Sequence, residues 1–198
     1  MKLFYSPGAC SLADHIALIE AGLRADLVKV DLKAKSMQGG GDYLQINPKG
    51  YVPALQLDDG QVLTENIAIL AWIAGRSAGG SLGDIATLRL LETLAFISSE
   101  IHKAFKPFFA GAPEADTQAA KLMIQRRLGY LADRMDQGFV LGDHYSVADA
   151  YLFVMLRWAA RFDIEVPAVL SAFSRRMTER PAVRRALQDE GLEAAKAA

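Results

Sequence analysis

The chain has 198 residues, more than one average domain and fewer than two large ones, so either one big domain or two compact ones would fit. Hydrophobic residues make up 52% and charged residues 23%, the balance of a chain that buries a sizeable core and is not disordered. Lys and Arg total 22 against 23 Asp and Glu, a net charge of -1, which argues against a field built for nucleic acid or anionic lipid and points to a small-molecule partner.

Cys10 is the single cysteine, which rules out an intrachain disulfide and fits a reducing compartment. Met1-Lys2-Leu3-Phe4-Tyr5 lacks a long apolar signal region, and no apolar run approaches the roughly 20 residues that span a bilayer. A soluble, cytoplasmic protein is expected. Leu3-Phe4-Tyr5 reads as a short strand, Ser6-Pro7-Gly8 as a turn, and Leu12 to Ala21 as a helix that Gly22 closes, with Ser11 and Asp14 spaced as a capping box. Leu27 to Leu32 alternates Val28, Val30 and Leu32 with Lys29 and Asp31, a strand with one wetter face. A long polar segment, Lys33 to Gly50, follows, with the triplet Gly39-Gly40-Gly41 and the turn signal Asn47-Pro48; loops of that length are often functional. Ala54 to Leu57 and Gln61 to Leu63 flank Asp58-Asp59-Gly60 as a hairpin, and Thr64-Glu65-Asn66 precedes a helical run from Ile67 to Ala74.

Gly75 to Gly83, rich in Gly, Ser and Ala, suits a linker. Everything beyond it reads helical: a helix through Leu88, Leu91, Ala95 and Ser98 up to Pro107, a second from Thr117 to Met135, a third from Val147 to Phe162, and a fourth bracketed by Pro167 and Pro181. Ser146-Val147-Ala148-Asp149 opens the third with Ser at the N-cap and a carboxylate at the third helical position.

Four separated segments carry a family resemblance: Tyr5 to Ser11, Asn47 to Leu55, Leu63-Thr64-Glu65, and Phe96 to Lys103. Together they resemble the bacterial beta class of cytosolic glutathione S-transferases, almost end to end. The resemblance implies an α+β thioredoxin-like domain over 1–77, with a mixed sheet in the order β-α-β-α-β-β-α. An all-α helical domain over 84–198 is implied to follow. It also implies glutathione as co-substrate, a small hydrophobic electrophile, a detoxifying reaction, no metal and a homodimer.

Several residues have a chemical reading of their own. A cis bond at Val52-Pro53 would turn the preceding amide and carbonyl outward to pair with an extended peptide, whereas a trans proline would only begin an edge strand. The resemblance gives Val52 the cysteinyl backbone of glutathione. Thr64-Glu65-Asn66 stands where a helix N-terminus offers amides to a carboxylate, or where Thr64 or Asn66 simply caps the helix. In the family Glu65 takes the γ-glutamyl ammonium; Asn66 departs from the small residue usual there. Cys10 begins the first helix, where unpaired amides lower a thiol's pKa; the alternative is an ordinary buried cysteine. The resemblance puts it beside the glutathione sulfur, either as a mixed disulfide or as a hydrogen-bond donor, with Ser11 and Tyr5 in reserve.

Ser99 and His102 share a helical face with Ala95 by spacing, next to Lys103. A lone His in such a place is commonly structural; the resemblance instead makes Ser99 and His102 partners of the glutathione sulfur, with Ala95 replacing a usual amide. Lys35 is implied for the glycyl carboxylate. His15 and His144 show no partner spacing, no metal site of recognisable geometry is present, and Gly39-Gly40-Gly41 lacks the Lys and Ser/Thr of a phosphate loop. Phe105, Phe108, Phe109, Trp158 and Phe162 could line an apolar wall. Three functions follow: glutathione transfer to an electrophile, glutathione-dependent thiol-disulfide exchange through Cys10, and non-catalytic ligand binding on the same fold.

Overall fold

The computed structural model describes residues 1–78, 84–135 and 138–192. By their contacts these form two compact units, 1–78 with 178–192, and 84–135 with 138–177. The first contains β1 (Lys2–Tyr5), α1 (Ser11–Glu20), β2 (Asp26–Asp31), β3 (Ser36–Met37), a 3-10 turn (Tyr43–Gln45), β4 (Ala54–Gln56), β5 (Val62–Thr64) and α2 (Asn66–Ala78). The second contains α3 (Ile85–Phe96), a π-helical turn (Ile97–His102), a 3-10 turn (Lys103–Phe105), α4 (Lys106–Phe109), α5 (Glu114–Ala132), α6 (Val147–Arg161) and α7 (Ala168–Glu179). The final helix, α8 (Pro181–Asp189), has its contacts with the first unit, packed on α1, although the division drawn from sequence assigns it to the helical half.

The sheet order is β3-β2-β1-β4-β5, with β1 and β2 parallel and every other pair antiparallel. β1 is central because Leu3, Phe4 and Tyr5 are all buried, as a strand covered on both faces requires. Alternation sends Phe4 to one face, where it packs with Val30, Tyr43, Val52 and Ala54, and Leu3 and Tyr5 to the other. The hairpin forms as expected, closed by Leu57 N donating to Gln61 O at 2.8 Å.

Three local expectations are corrected. The Ser11/Asp14 capping box is absent: Cys10 is the N-cap residue without a side-chain cap bond, and Ser11 Oγ pairs with the backbone of Ser6. Between β2 and the hairpin there is only the 3-10 turn, together with the unexpected edge strand β3. Gly39, Gly40 and Gly41 all take positive φ there, and Pro48 disfavours helical backbone at Asn47 before it. Finally, α2 runs through Gly75 to Ala78, so the first residues of the expected linker are helical, and its residues 79–83 lie outside the described ones. At the other end of α1, Gly22 (φ 66°) lets its own N–H reach Ile19 O and Leu23 N–H reach Leu18 O, the Schellman closure.

In the second unit, α6 is buried nearly all round, which makes it the core helix against which Leu94, Ile97, Ile101, Phe105, Ile124, Leu128 and Phe173 are also buried. Helical backbone continues across Pro107 because the 3-10 turn ends just before it and places the proline in the first turn of α4, where a missing N–H costs nothing. The expected capping box at α6 is complete: Asp149 accepts from Ser146 N (2.7 Å), Ser146 Oγ (2.8 Å) and Val140 N (2.7 Å).

Asp149→Ala leaves those donors without a charged acceptor and is expected to cost about 3 kcal/mol, read as a lower urea midpoint. A change under about 0.5 kcal/mol would refute the capping account. Asp14 gives a pH-dependent case: fully buried, neither carboxyl oxygen has a hydrogen-bond partner among the described residues, and burial, reinforced by Glu190, holds its pKa well above the usual carboxylate value. A folded-state pKa above the unfolded one means the native state binds the extra proton, so stability declines as pH rises from the unfolded pKa of about 4 toward the raised one. Asp14→Asn is therefore expected to unfold at a higher urea concentration relative to wild type at pH 8 than at pH 5; an equal difference at both pH values would show that Asp14 is ionised already.

Candidate functional site

In the first unit, the starts of α1 and α2 and the loop before β4 bring Cys10, Val52 and Asn66 into direct contact. Cys10 Sγ donates to Val52 O at 3.4 Å, and Asn66 Nδ2 donates to Cys10 O at 3.4 Å. The Val52-Pro53 bond is cis. The Val52 carbonyl is held there because the residues before it are fixed: Tyr51 O accepts from Asn47 Nδ2 (2.7 Å) and Tyr43 Oη (3.0 Å), and Gly50 O accepts from Lys35 Nζ (2.6 Å). Asn47 and Tyr43 are both fully buried, so this loop is part of the core's polar framework and not a mobile connector.

Of the two readings of Cys10, burial favours the ordinary protonated cysteine. Enclosure pushes its thiol up to about 12, the Asp14 carboxyl one helical turn on adds to the rise, and the amides of Cys10 and Ser11 at the start of α1 pull the other way without prevailing. The helix-terminus effect has the anticipated sign and the smaller size. At neutral pH Cys10 is a thiol, a donor. The reserve donors are differently placed: Ser11 is committed to Ser6, and Tyr5 is buried beside His15, with burial and then Glu190 and Asp189 raising its pKa.

Glu65 and Lys35 are two of the three non-glycine residues with positive φ among those described, at 72° and 56°. That is an uncommon backbone state that tends to persist at binding sites. The Glu65 carboxylate pairs with Lys49 Nζ and accepts from Tyr51 Oη (3.4 Å), while Lys49 also reaches Thr64 Oγ1 (2.8 Å). The bond to Glu65 raises the Lys49 pKa. Asn66 is buried and its Oδ1 has no hydrogen-bond partner among the described residues.

Ser99 and His102 belong to the second unit, and the π turn alters the face they were expected to share. An i→i+5 turn holds more residues than an α turn, so three-residue spacing no longer stacks side chains. Ser99 is exposed, whereas His102 is partly buried against α6. His102 Nδ1 lies 2.7 Å from Tyr151 Oη, and the ring stands edge-on to both Tyr151 and Trp158 at 5.8 and 5.0 Å. Burial, with a smaller push from Lys103, lowers its pKa to about 4, so the imidazole is neutral at physiological pH. The five aromatic residues expected to form a wall do cluster: Phe109 contacts Trp158 and Phe162, Phe108 stacks on Phe162, and Phe105 meets Trp158, with Phe105 in the core and Phe109 half exposed.

Sequence reasoning missed Lys49, although it stands inside the Asn47-Pro48-Lys49-Gly50 motif. It also missed the brace behind Cys10: Glu190 accepts from Gly8 N (2.9 Å) and pairs with His15 Nδ1 (3.1 Å). His15 therefore has partners after all, more than 170 positions away, where no local spacing could reveal them. Among the described residues no group of His, Cys, Asp and Glu could hold a metal, and no helix is long and apolar enough to cross a membrane.

The N-terminal domain model of the glutathione S-transferase family matches residues 9–76, and its C-terminal domain model matches residues 96–181. The chain is 42% identical over 200 residues to glutathione S-transferase GstA of Escherichia coli O157:H7, covering 97% of this chain and all of that one. Its fold is similar to the bacterial beta class glutathione S-transferase of Sphingomonas chungbukensis (44% identity, TM-score 0.90) and to a sphingomonad glutathione S-transferase complexed with glutathione (44%, TM-score 0.91), each covering 98% of this chain and all of the other. The chain belongs to the glutathione S-transferase family, with bacterial beta-class members among its relatives.

Proposed function

We propose that this protein binds glutathione in its first unit and transfers the glutathione thiolate to small hydrophobic electrophiles. The observation that carries the reading is Cys10 Sγ, set at the start of α1 3.4 Å from Val52 O, where burial raises its pKa and leaves it a thiol donor. In it, the Val52 backbone pairs with the cysteinyl residue of glutathione as an added strand. Glu65 and Asn66, at the start of α2, hold the γ-glutamyl end, where Lys49 now occupies the carboxylate, and Lys35 serves the glycyl carboxylate. The Cys10 S–H then turns from Val52 O to donate a hydrogen bond to the glutathione sulfur, which favours the thiolate and lowers that thiol's pKa. The thiolate forms the new sulfur-carbon bond, its proton having gone to solvent, and the electrophile's leaving group departs or its double bond takes up the charge.

Thiol-disulfide exchange through Cys10 would need the Cys10 thiolate, which burial disfavours, so the donor role is preferred over the mixed disulfide. Ser99 and His102 are assigned to the reacting thiol, and the Phe109–Trp158–Phe162 cluster to the electrophile. Family membership supports a homodimer, and the single cysteine supports a cytoplasmic location.

Replacing the donor separates the two roles of Cys10. Cys10→Ala is expected to lower kcat/KM for conjugation of a model aryl halide by about 10- to 100-fold, the worth of a hydrogen bond to a charged atom. Cys10→Ser, which still donates, restores most of it. Equal loss in both variants, or a glutathione adduct on Cys10 by mass spectrometry after incubation with oxidised glutathione, would replace the donor by a nucleophile. Absence of calorimetric binding at millimolar glutathione would remove the reading altogether.

A further inference from the structure

His102 is held by a residue that sequence spacing does not reveal. Tyr151 is fully buried on α6, and its Oη is 2.7 Å from His102 Nδ1, within the range of a strong O–H···N bond. In a neutral imidazole one ring nitrogen carries the proton and the other only accepts, and the partner of one fixes the state of the other. A phenol is a good donor and a weak acceptor, while an unprotonated imidazole nitrogen is a strong acceptor, so the favourable arrangement has the Tyr151 hydroxyl donating to Nδ1. The proton of the ring then resides on Nε2. The edge-on contacts with Tyr151 and Trp158 oppose a ring flip that would exchange the two nitrogens.

We infer that Tyr151 is a positioning residue that fixes His102 as the Nε2–H tautomer, making His102 a hydrogen-bond donor toward an anionic sulfur and not a base that removes its proton. The inference rests on the proposed part of His102 in glutathione transfer and sharpens it: the two expected uses of the imidazole, accepting the thiol proton or stabilising the thiolate, reduce to the second. Burial works in the same direction, because a ring this difficult to protonate is a poor proton acceptor at physiological pH. Lys103, the charge beside it on its own segment, opposes protonation further.

Long-range proton–nitrogen correlation spectra of the whole protein with 15N-labelled histidine, taken at about pH 7, read the tautomer directly. The chain has three histidines, so His102→Gln assigns the signal. The expected wild-type pattern is a protonated Nε2 and an unprotonated Nδ1, which moves toward an averaged mixture in the near-isosteric Tyr151→Phe. A wild-type Nδ1–H tautomer, or identical wild-type and Tyr151→Phe spectra, overturns the inference. In parallel, kcat/KM for the aryl halide is expected to fall about tenfold in Tyr151→Phe, with the glutathione KM nearly unchanged. A shifted tautomer with unaltered conjugation would confirm the action of Tyr151 on His102 and refute the part of His102 in transfer, so the two failures remain distinguishable.

Discussion

The protonation of one partly buried thiol governs how the proposed site works. Cys10 stands at the start of α1, where a helix terminus favours negative charge by typically less than about 1 kcal/mol. Had that effect prevailed, the residue would be a thiolate. Burial outweighs it and the neighbouring Asp14 adds to the rise, so Cys10 remains a donor whose hydrogen bond goes to the Val52 carbonyl. The surrounding polar framework serves the same end. Glu190 holds the Gly8 amide just before Cys10, Asn66 holds its carbonyl, and Asn47, Tyr43 and Lys35 hold the loop that presents Val52. In the proposed site a glutathione sulfur meets a thiol donor rather than a competing nucleophile, once the S–H turns to it from the Val52 carbonyl.

Within the second unit, His102 is a group of the same character. His102 is kept neutral by burial, as Cys10 is kept protonated by burial, and both bond to a protein partner through one polar atom. In the proposed mechanism the thiolate is thus stabilised by uncharged donors. This contrasts with the acid–base scheme that a Cys and a His invite when taken from sequence alone.

Much of this was legible in the residues. Period changes in the first eighty positions give the strands and helices of the mixed sheet, Asp58-Asp59-Gly60 gives the hairpin, and Ser146 with Asp149 gives the cap of α6, because each depends on neighbours within a few positions. What escaped depends on distant partners or on competing energies. The brace of Gly8 and His15 by Glu190 joins the two ends of the chain, and the Tyr151–His102 bond joins two helices. The capping box at Ser11 failed because Ser6 claimed the hydroxyl, and Asp14 was left buried without a partner. The sequence left the protonation of Cys10 open because a helix start is visible in it and the degree of enclosure is not. The π turn at Ile97–His102 likewise leaves no periodic mark, and it is what separates Ser99 from His102.

Whether Cys10 is held as a thiol can be read from the rate of its alkylation by iodoacetamide as a function of pH, followed by intact mass. Since Cys10 is the single cysteine, the signal is unambiguous. A protonated Cys10 is modified slowly, with no inflection up to about pH 9, above the ordinary thiol value of about 8.5. A titration midpoint near neutrality, with fast alkylation below about pH 7, would show that the start of α1 stabilises a thiolate after all and would contradict the protonated state.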